Sequence, residues 1–200
     1  SDMRGKMNAG SIMRIGTSQQ RIVFFVLGAL VAGVSLAVLD VWAIVASCAL
    51  GWAMLAITIS DARRFIIPDV LSLPMIPVGL LATWLLSEPG HLHMLLHLAA
   101  AVGACAALWL VGQGYLRLRG REGLGLGDVK LAAVAGAWTG LTGVIHVLLL
   151  ASLTALAFGL LYGLATERRI RFDLALPFGS FFAPAIWLVW VLQMQFAGIG

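Results

Sequence analysis

Long apolar runs alternate with short polar breaks along nearly the whole chain, and their spacing predicts helices that cross a bilayer. Residues 1–20 are polar and carry Arg4, Lys6 and Arg14; residues 22–39 are then an unbroken apolar stretch. Asp40 interrupts and 41–59 form a second run, so the two read as a helical hairpin with its tip at Asp40. A spanning helix needs about 20 mostly apolar residues, and a run this long exceeds a signal-peptide core. The polar segment SDARRFIIPD at 60–69 precedes a third run at 70–87, with Pro68 suited to the first turn of its helix. SEPGHLH at 87–93 leads to a fourth run at 94–113, followed by the most polar part of the chain, QGYLRLRGREGLGLGDVK at 113–130. The remainder divides into 129–139, a break at TGLTG, 144–165, a basic loop ERRIRFD at 167–173, and 177–196. The pattern predicts an all-α polytopic membrane bundle of about seven segments, the fifth short. Residues 1–20 are expected to be a flexible cytoplasmic tail and 21–200 a single transmembrane domain.

Composition agrees: 61% of the 200 residues are hydrophobic and 11% charged, and the mean hydropathy is +1.00. A soluble domain of this size lacks the interior to hide that much apolar surface. A DNA-binding domain, a disordered tail and a disulfide-rich secreted module are excluded, despite a pI near 9.7. Cys48 and Cys105 lie inside apolar runs and belong to no CxxC or Cys/His pattern, so they read as small hydrophobic side chains and no metal is expected.

The basic residues report topology. With seven crossings, Arg4, Lys6, Arg14 and Arg21, then Arg63 and Arg64, then Arg117, Arg119, Arg121 and Lys130, then Arg168, Arg169 and Arg171 all fall on one face, and these are all 13 Lys and Arg of the chain. By the positive-inside rule that face is cytoplasmic, as is the N-terminus, and the C-terminus is outside. Trp42, Trp84 and Trp138 fall near outer helix ends, where an aromatic belt would place them, though Trp is also a common packing residue. Gly136 with Gly140, and Gly159 with Gly163, have helix-contact spacing and read as packing within the bundle. Oligomeric state is not assigned.

Ionisable groups at membrane helix ends are costly to retain, so they are the informative ones. Asp61 directly follows the second segment, and Asp128 opens the fifth within GLGLGDVK. Two complete crossings separate them, so both sit at cytoplasmic helix ends and can meet if those helices are neighbours. Two carboxylates a few ångströms apart share one proton, which makes one a base and the other an acid, as peptide hydrolysis by activated water requires. Gly123, Gly125 and Gly127 alternate ahead of Asp128 and give a backbone that can approach a substrate strand closely. Read plainly, GxGD is a loop ahead of a helix N-terminus, and Asp61 beside Arg63 and Arg64 is a solvated interfacial cluster; the conjunction at one face favours the chemical reading. His91, His93 and His97 lie at an outer loop. His93 and His97 could share a helix face near Glu88, but HxxxH alone is a weak metal pattern and interfacial histidines are the plainer reading. His146 is expected to be hydrogen-bonded near the outer end of the sixth segment.

Three stretches, SDARRFIIPDVLSLP at 60–74, GLGLGDVKLAAVAGAWTG at 123–140 and LPFGSFFAPA at 176–185, resemble in order and spacing the signature regions of the type IV prepilin leader peptidases, bacterial inner-membrane aspartic proteases of the GxGD type. The chain looks most like the small branch that serves Flp/Tad pili. The resemblance implies that Asp61 and Asp128 are the catalytic pair, that Gly125, Gly127, Lys130 and Asp69 support the motif, and that no cofactor is used. Asp69 in the IPD element would cap the third segment beside Pro68, and Lys130 would pair with a carboxylate or a lipid phosphate, or raise the acidity of the aspartate pair. Family members that also N-methylate the new pilin terminus usually carry a domain with paired CxxC motifs; here the stretch before Arg21 is short and free of cysteine, so peptidase activity alone is expected, without S-adenosylmethionine. The implied partner is a prepilin with a short basic leader, a Gly before the cut and a hydrophobic helix, held among the segments and membrane lipids, with Arg63, Arg64 or Lys130 available to a substrate carboxylate; no nucleic acid is involved. The competing readings are a small ion-coupled transporter using the same aspartates, and a non-catalytic subunit of pilus assembly.

Overall fold

In the computed structural model the described residues are 17–120, 123–165 and 177–197. Among them the chain forms six helices and no strand: α1 (Thr17–Val38), α2 (Val41–Arg64), α3 (Asp69–Leu86), α4 (Gly90–Arg119), α5 (Leu126–Ala165) and α6 (Gly179–Ala197). Five of these are long and apolar enough to cross a membrane, and α1 adds a shorter apolar stretch, Ile22–Val38. The protein is a multi-pass membrane helical bundle. Helix α1 begins at Thr17, inside the expected tail; the rest of that tail, Arg121 and the loop residues Arg168, Arg169 and Arg171 lie outside the described residues.

The seven segments read from hydropathy are accounted for by a reversal inside α5. At Gly140 the backbone has φ 64 and ψ −175, a region open essentially to glycine alone. The first arm, residues 126–139, runs away from Asp128, and the second, residues 141–165, returns. Gln193 near the end of α6 donates to the Thr139 carbonyl at 3.1 Å, while Phe158 of the second arm packs on Phe181 at the start of α6, with ring centroids 5.5 Å apart. The expected break at TGLTG is therefore a single-residue hinge.

The first arm is the centre of the bundle. Every residue from Leu131 to Gly140 is buried, and α3, α4 and α6 pack around it. Lipid tails are as apolar as leucine, so close backbone approach must supply the cohesion that the hydrophobic effect supplies in water. Gly136 provides it against α4, where a Cβ would come within 2.6 Å of the Ala100 carbonyl carbon, and Gly79 of α3 provides it beneath Trp138, where a Cβ would lie 2.6 Å from Nε1. Trp138 is 1% exposed, donates from Nε1 to the Met75 carbonyl at 2.7 Å and meets Trp190 edge to face at 5.5 Å. It is a core residue and not a belt residue, unlike the exposed Trp42 and Trp84. On the far side α1 is held by a one-way string of hydrogen bonds: Trp187 Nε1 to Ser47 Oγ at 3.0 Å, Ser47 to Ser35 at 2.7 Å, and Ser35 to the Val31 carbonyl at 2.7 Å.

Cys48 and Cys105 are free and half-buried, and His146 is exposed, with no side-chain hydrogen bond among the described residues, so the expected bond is not formed. Gly136→Val is expected to destabilise the bundle by about 1–3 kcal/mol, the usual range for overpacking, because the neighbouring atoms are α4 backbone and cannot rotate away. Thermal unfolding in detergent measures it, with Gly103→Val, at a position with open space, as the comparison.

Candidate active site

The aspartate end of the bundle is built by three helix termini. Asp61 lies in the last turn of α2, which stops at Phe65 in the left-handed conformation (φ 53) with its N–H on the Asp61 carbonyl. A bulky residue at positive φ is uncommon. It is tied down by the Ser60 hydroxyl, which donates to the Ile66 carbonyl at 2.8 Å. The Asp61 side chain turns inward and is 5% exposed. Its Oδ2 accepts the Ser180 N–H at 2.8 Å and the Ser180 hydroxyl at 3.1 Å, so the carboxylate sits at the N-terminus of α6, where helix dipole and free N–H groups favour an anion. The same hydroxyl lies 3.2 Å from the Thr58 carbonyl. With one hydrogen to give, it serves one acceptor at a time.

Asp128 occupies the first turn of α5, half-buried, with its N–H on the Gly125 carbonyl at 3.1 Å. The two aspartates come together around Ile67. A Cβ on Gly127 would lie 2.9 Å from Ile67 Cδ1; one on Gly179 would lie 2.8 Å from the same atom and 2.9 Å from Asp61 Oδ2. Ile67 thus touches the glycine before Asp128 and the glycine before Ser180, and the carboxylates on either side are close enough to feel one another's charge. Gly127 is needed here for space and not for backbone conformation, since its φ is not positive. At Gly125 a Cβ would only touch Asp128 Oδ2, at 3.5 Å.

The other sequence candidates divide. Asp69 does not cap α3: Pro68 holds the cap position, one residue before the first turn, without a side-chain hydrogen bond. Asp69 instead pairs with Lys130 at 2.6 Å, joining the start of α3 to the start of α5, so Lys130 is engaged there and not on either member of the aspartate pair. Arg63 and Arg64 are exposed beside Asp61 and form no ion pair among the described residues. At the opposite end His97 does structural work. Its Nδ1 is 3.0 Å from the Ala137 carbonyl and 3.2 Å from Thr83 Oγ1; a carbonyl only accepts, so Nδ1 carries the proton. His93 and His97 line a cavity of about 540 Å³ with Thr83, Thr139 and Gln193, and among the described residues no three metal-binding side chains converge. Sequence reasoning missed Ile67, Gly179 and Ser180. The signal was present in the loop beside Asp61 and in the Pro-Phe-Gly-Ser opening of α6, a turn followed by a helix start.

The fold is thus a polytopic helical bundle with Asp61 and Asp128 at the same end, the second behind a GxGD loop. The model of the type IV leader peptidase family matches residues 48–160, more than half of the chain, and the chain belongs to that family. It is 35% identical over 147 residues to a prepilin leader peptidase/N-methyltransferase of Aeromonas salmonicida, covering 74% of this chain and 49% of that protein. It is 38% identical over 161 residues to the protein of the same name from Burkholderia pseudomallei, covering 78% and 49%, and 33% identical over 168 residues to that of Pseudomonas aeruginosa, covering 78% and 55%. The chain spans about half the length of the curated relatives it matches. No solved structure matches it.

Lys130 is 35% and Asp69 55% exposed, so their pair is worth no more than about 1 kcal/mol. Lys130→Ala is expected to lower the unfolding temperature by a few degrees at most, and raising the salt concentration should produce the same small shift in the wild type while leaving the variant unmoved.

Proposed function

We propose that the protein is a prepilin endopeptidase, an aspartic protease that removes the leader of a type IV or Flp pilin precursor at the cytoplasmic face of the inner membrane. The observation that carries this reading is the meeting of Asp61 and Asp128 across Ile67 in a chain of the leader peptidase family. One carboxylate, ionised, draws a proton from a water molecule as its oxygen attacks the scissile carbonyl carbon. The other, protonated, hydrogen-bonds the carbonyl oxygen, and a proton then passes to the leaving amine as the C–N bond breaks. Ser180 holds Oδ2 of Asp61 and leaves the second oxygen of that carboxylate to face the substrate side. Methyl transfer forms no part of the proposal, because the paired aspartates supply hydrolysis alone.

Topology makes the substrate accessible. A basic leader stays on the cytoplasmic side with the protein's own Lys and Arg, which sets the junction between leader and hydrophobic helix at the level of the two aspartates. The membrane bundle acts as one peptidase domain, and the exposed Arg63 and Arg64 are available to meet a substrate carboxylate.

Asp61→Asn and Asp128→Asn should each reduce cleavage of a prepilin in proteoliposomes by on the order of 10²- to 10⁴-fold, the size of a general acid–base contribution. Conversion to shortened pilin on a gel reads the loss, and N-terminal sequencing of the product locates the cut. Normal processing by either variant removes that residue from the mechanism.

A further inference from the structure

We propose that Ile67 is the specificity-determining side chain of this site, setting the size of the residue accepted on the amino side of the scissile bond. The inference rests on the peptidase reading and adds to it the question of which peptides can enter. Both carboxylates must come within hydrogen-bond reach of one peptide group, so the substrate backbone has to lie across the seam between Asp61 and Asp128. Ile67 stands in that seam. Its Cδ1 already fills the space that a single Cβ on Gly127 or Gly179 would need, at 2.9 and 2.8 Å, yet the side chain is only partly buried and so presents its outer surface to an incoming chain.

The wall it makes is stiff for local reasons. Isoleucine is branched at Cβ and restricted at χ1, and Pro68 after it confines Ile67 to extended backbone. The loop before it is pinned twice, by the Phe65 N–H on the Asp61 carbonyl at 2.9 Å and by the Ser60 hydroxyl on the Ile66 carbonyl at 2.8 Å. The helix after it is tied through Asp69 to Lys130 at 2.6 Å. A substrate residue without a side chain can lie against such a wall. One that brings a methyl group must displace Ile67 from two glycines at once.

The test compares kcat/KM for two prepilins that differ only in the residue before the cut, Gly or Ala, using the full chain in proteoliposomes. A misfit of one carbon in a tight pocket is worth roughly 10- to 200-fold, so the wild type is expected to favour Gly over Ala within that range. In Ile67→Ala the Gly:Ala ratio should fall to about threefold or less by the same argument, with Ile67→Val between the two, whatever the absolute rates. A ratio unchanged from wild type in Ile67→Ala overturns the proposal; should that variant be inactive on both substrates, the ratio in Ile67→Val decides in the same way. Failure of the wild type to cleave the Gly substrate is a different result, overturning the peptidase reading itself.

Discussion

A helix that reverses direction inside a membrane bundle must find partners for the backbone groups it frees, because hydrocarbon offers none. In this protein that constraint falls on Gly140. At 1.5 Å per residue the first arm of α5 is about 21 Å long, short of the roughly 30 Å hydrocarbon core. The hinge and Asp128 therefore cannot both reach the bilayer surfaces on that arm alone. The carbonyls of Ala137 and Thr139 are met by His97 and Gln193, 3.0 and 3.1 Å away. These two side chains come from α4 and α6, so the hinge is closed by the helices that also wrap the first arm. The position of Asp128 follows from the same arrangement, since the arm that ends in the hinge begins with the aspartate.

The aspartate end is assembled by the packing of one side chain, Ile67, on two glycines more than by attraction between the carboxylates. Asp61 and Asp128 repel when both are charged, and among the described residues Lys130, the basic side chain on the same helix turn as Asp128, is turned to Asp69. What holds them near one another is the fit of Ile67 against Gly127 and Gly179, together with the two hydrogen bonds from Ser180 to Asp61. Interhelical hydrogen bonds in membranes average only about 0.6 kcal/mol each. Two of them orient the carboxylate, and the packing of Ile67 on Gly127 and Gly179 adds to them.

Much of the architecture was legible in the sequence because hydropathy runs are a direct record of what lipid tolerates. The break at 139–143, the short fifth segment and the two helix ends bearing Asp61 and Asp128 were all readable from the pattern. Residues whose role depends on a neighbour far along the chain were not. The sequence leaves Trp138 open between an aromatic belt and packing, because its position near a helix end is a local fact, whereas its burial under Gly79 and beside Trp190 is a tertiary one. Asp69 looked like a cap because it follows a proline, and the partner that claims it, Lys130, sits two crossings away. Ile67 and Ser180 lie in stretches whose turn and helix-start character is plain, but an isoleucine in a loop and a serine at a helix start carry no individual role until the fold sets them against Asp61 and the glycine before Asp128.

The unbroken burial of Leu131 to Gly140 has a consequence for how the sequence can drift. A position facing lipid, such as Leu30, Val102 or Leu161, answers to a solvent that accepts any apolar side chain. A position in the first arm answers to three helices at once, each with its own fixed shape. Substitutions over time should therefore accumulate on the outside of this protein almost independently of one another, while changes in the central arm arrive in matched sets or not at all. In a membrane bundle built this way, the stretch with the least freedom to change is the ten apolar and small residues at its centre.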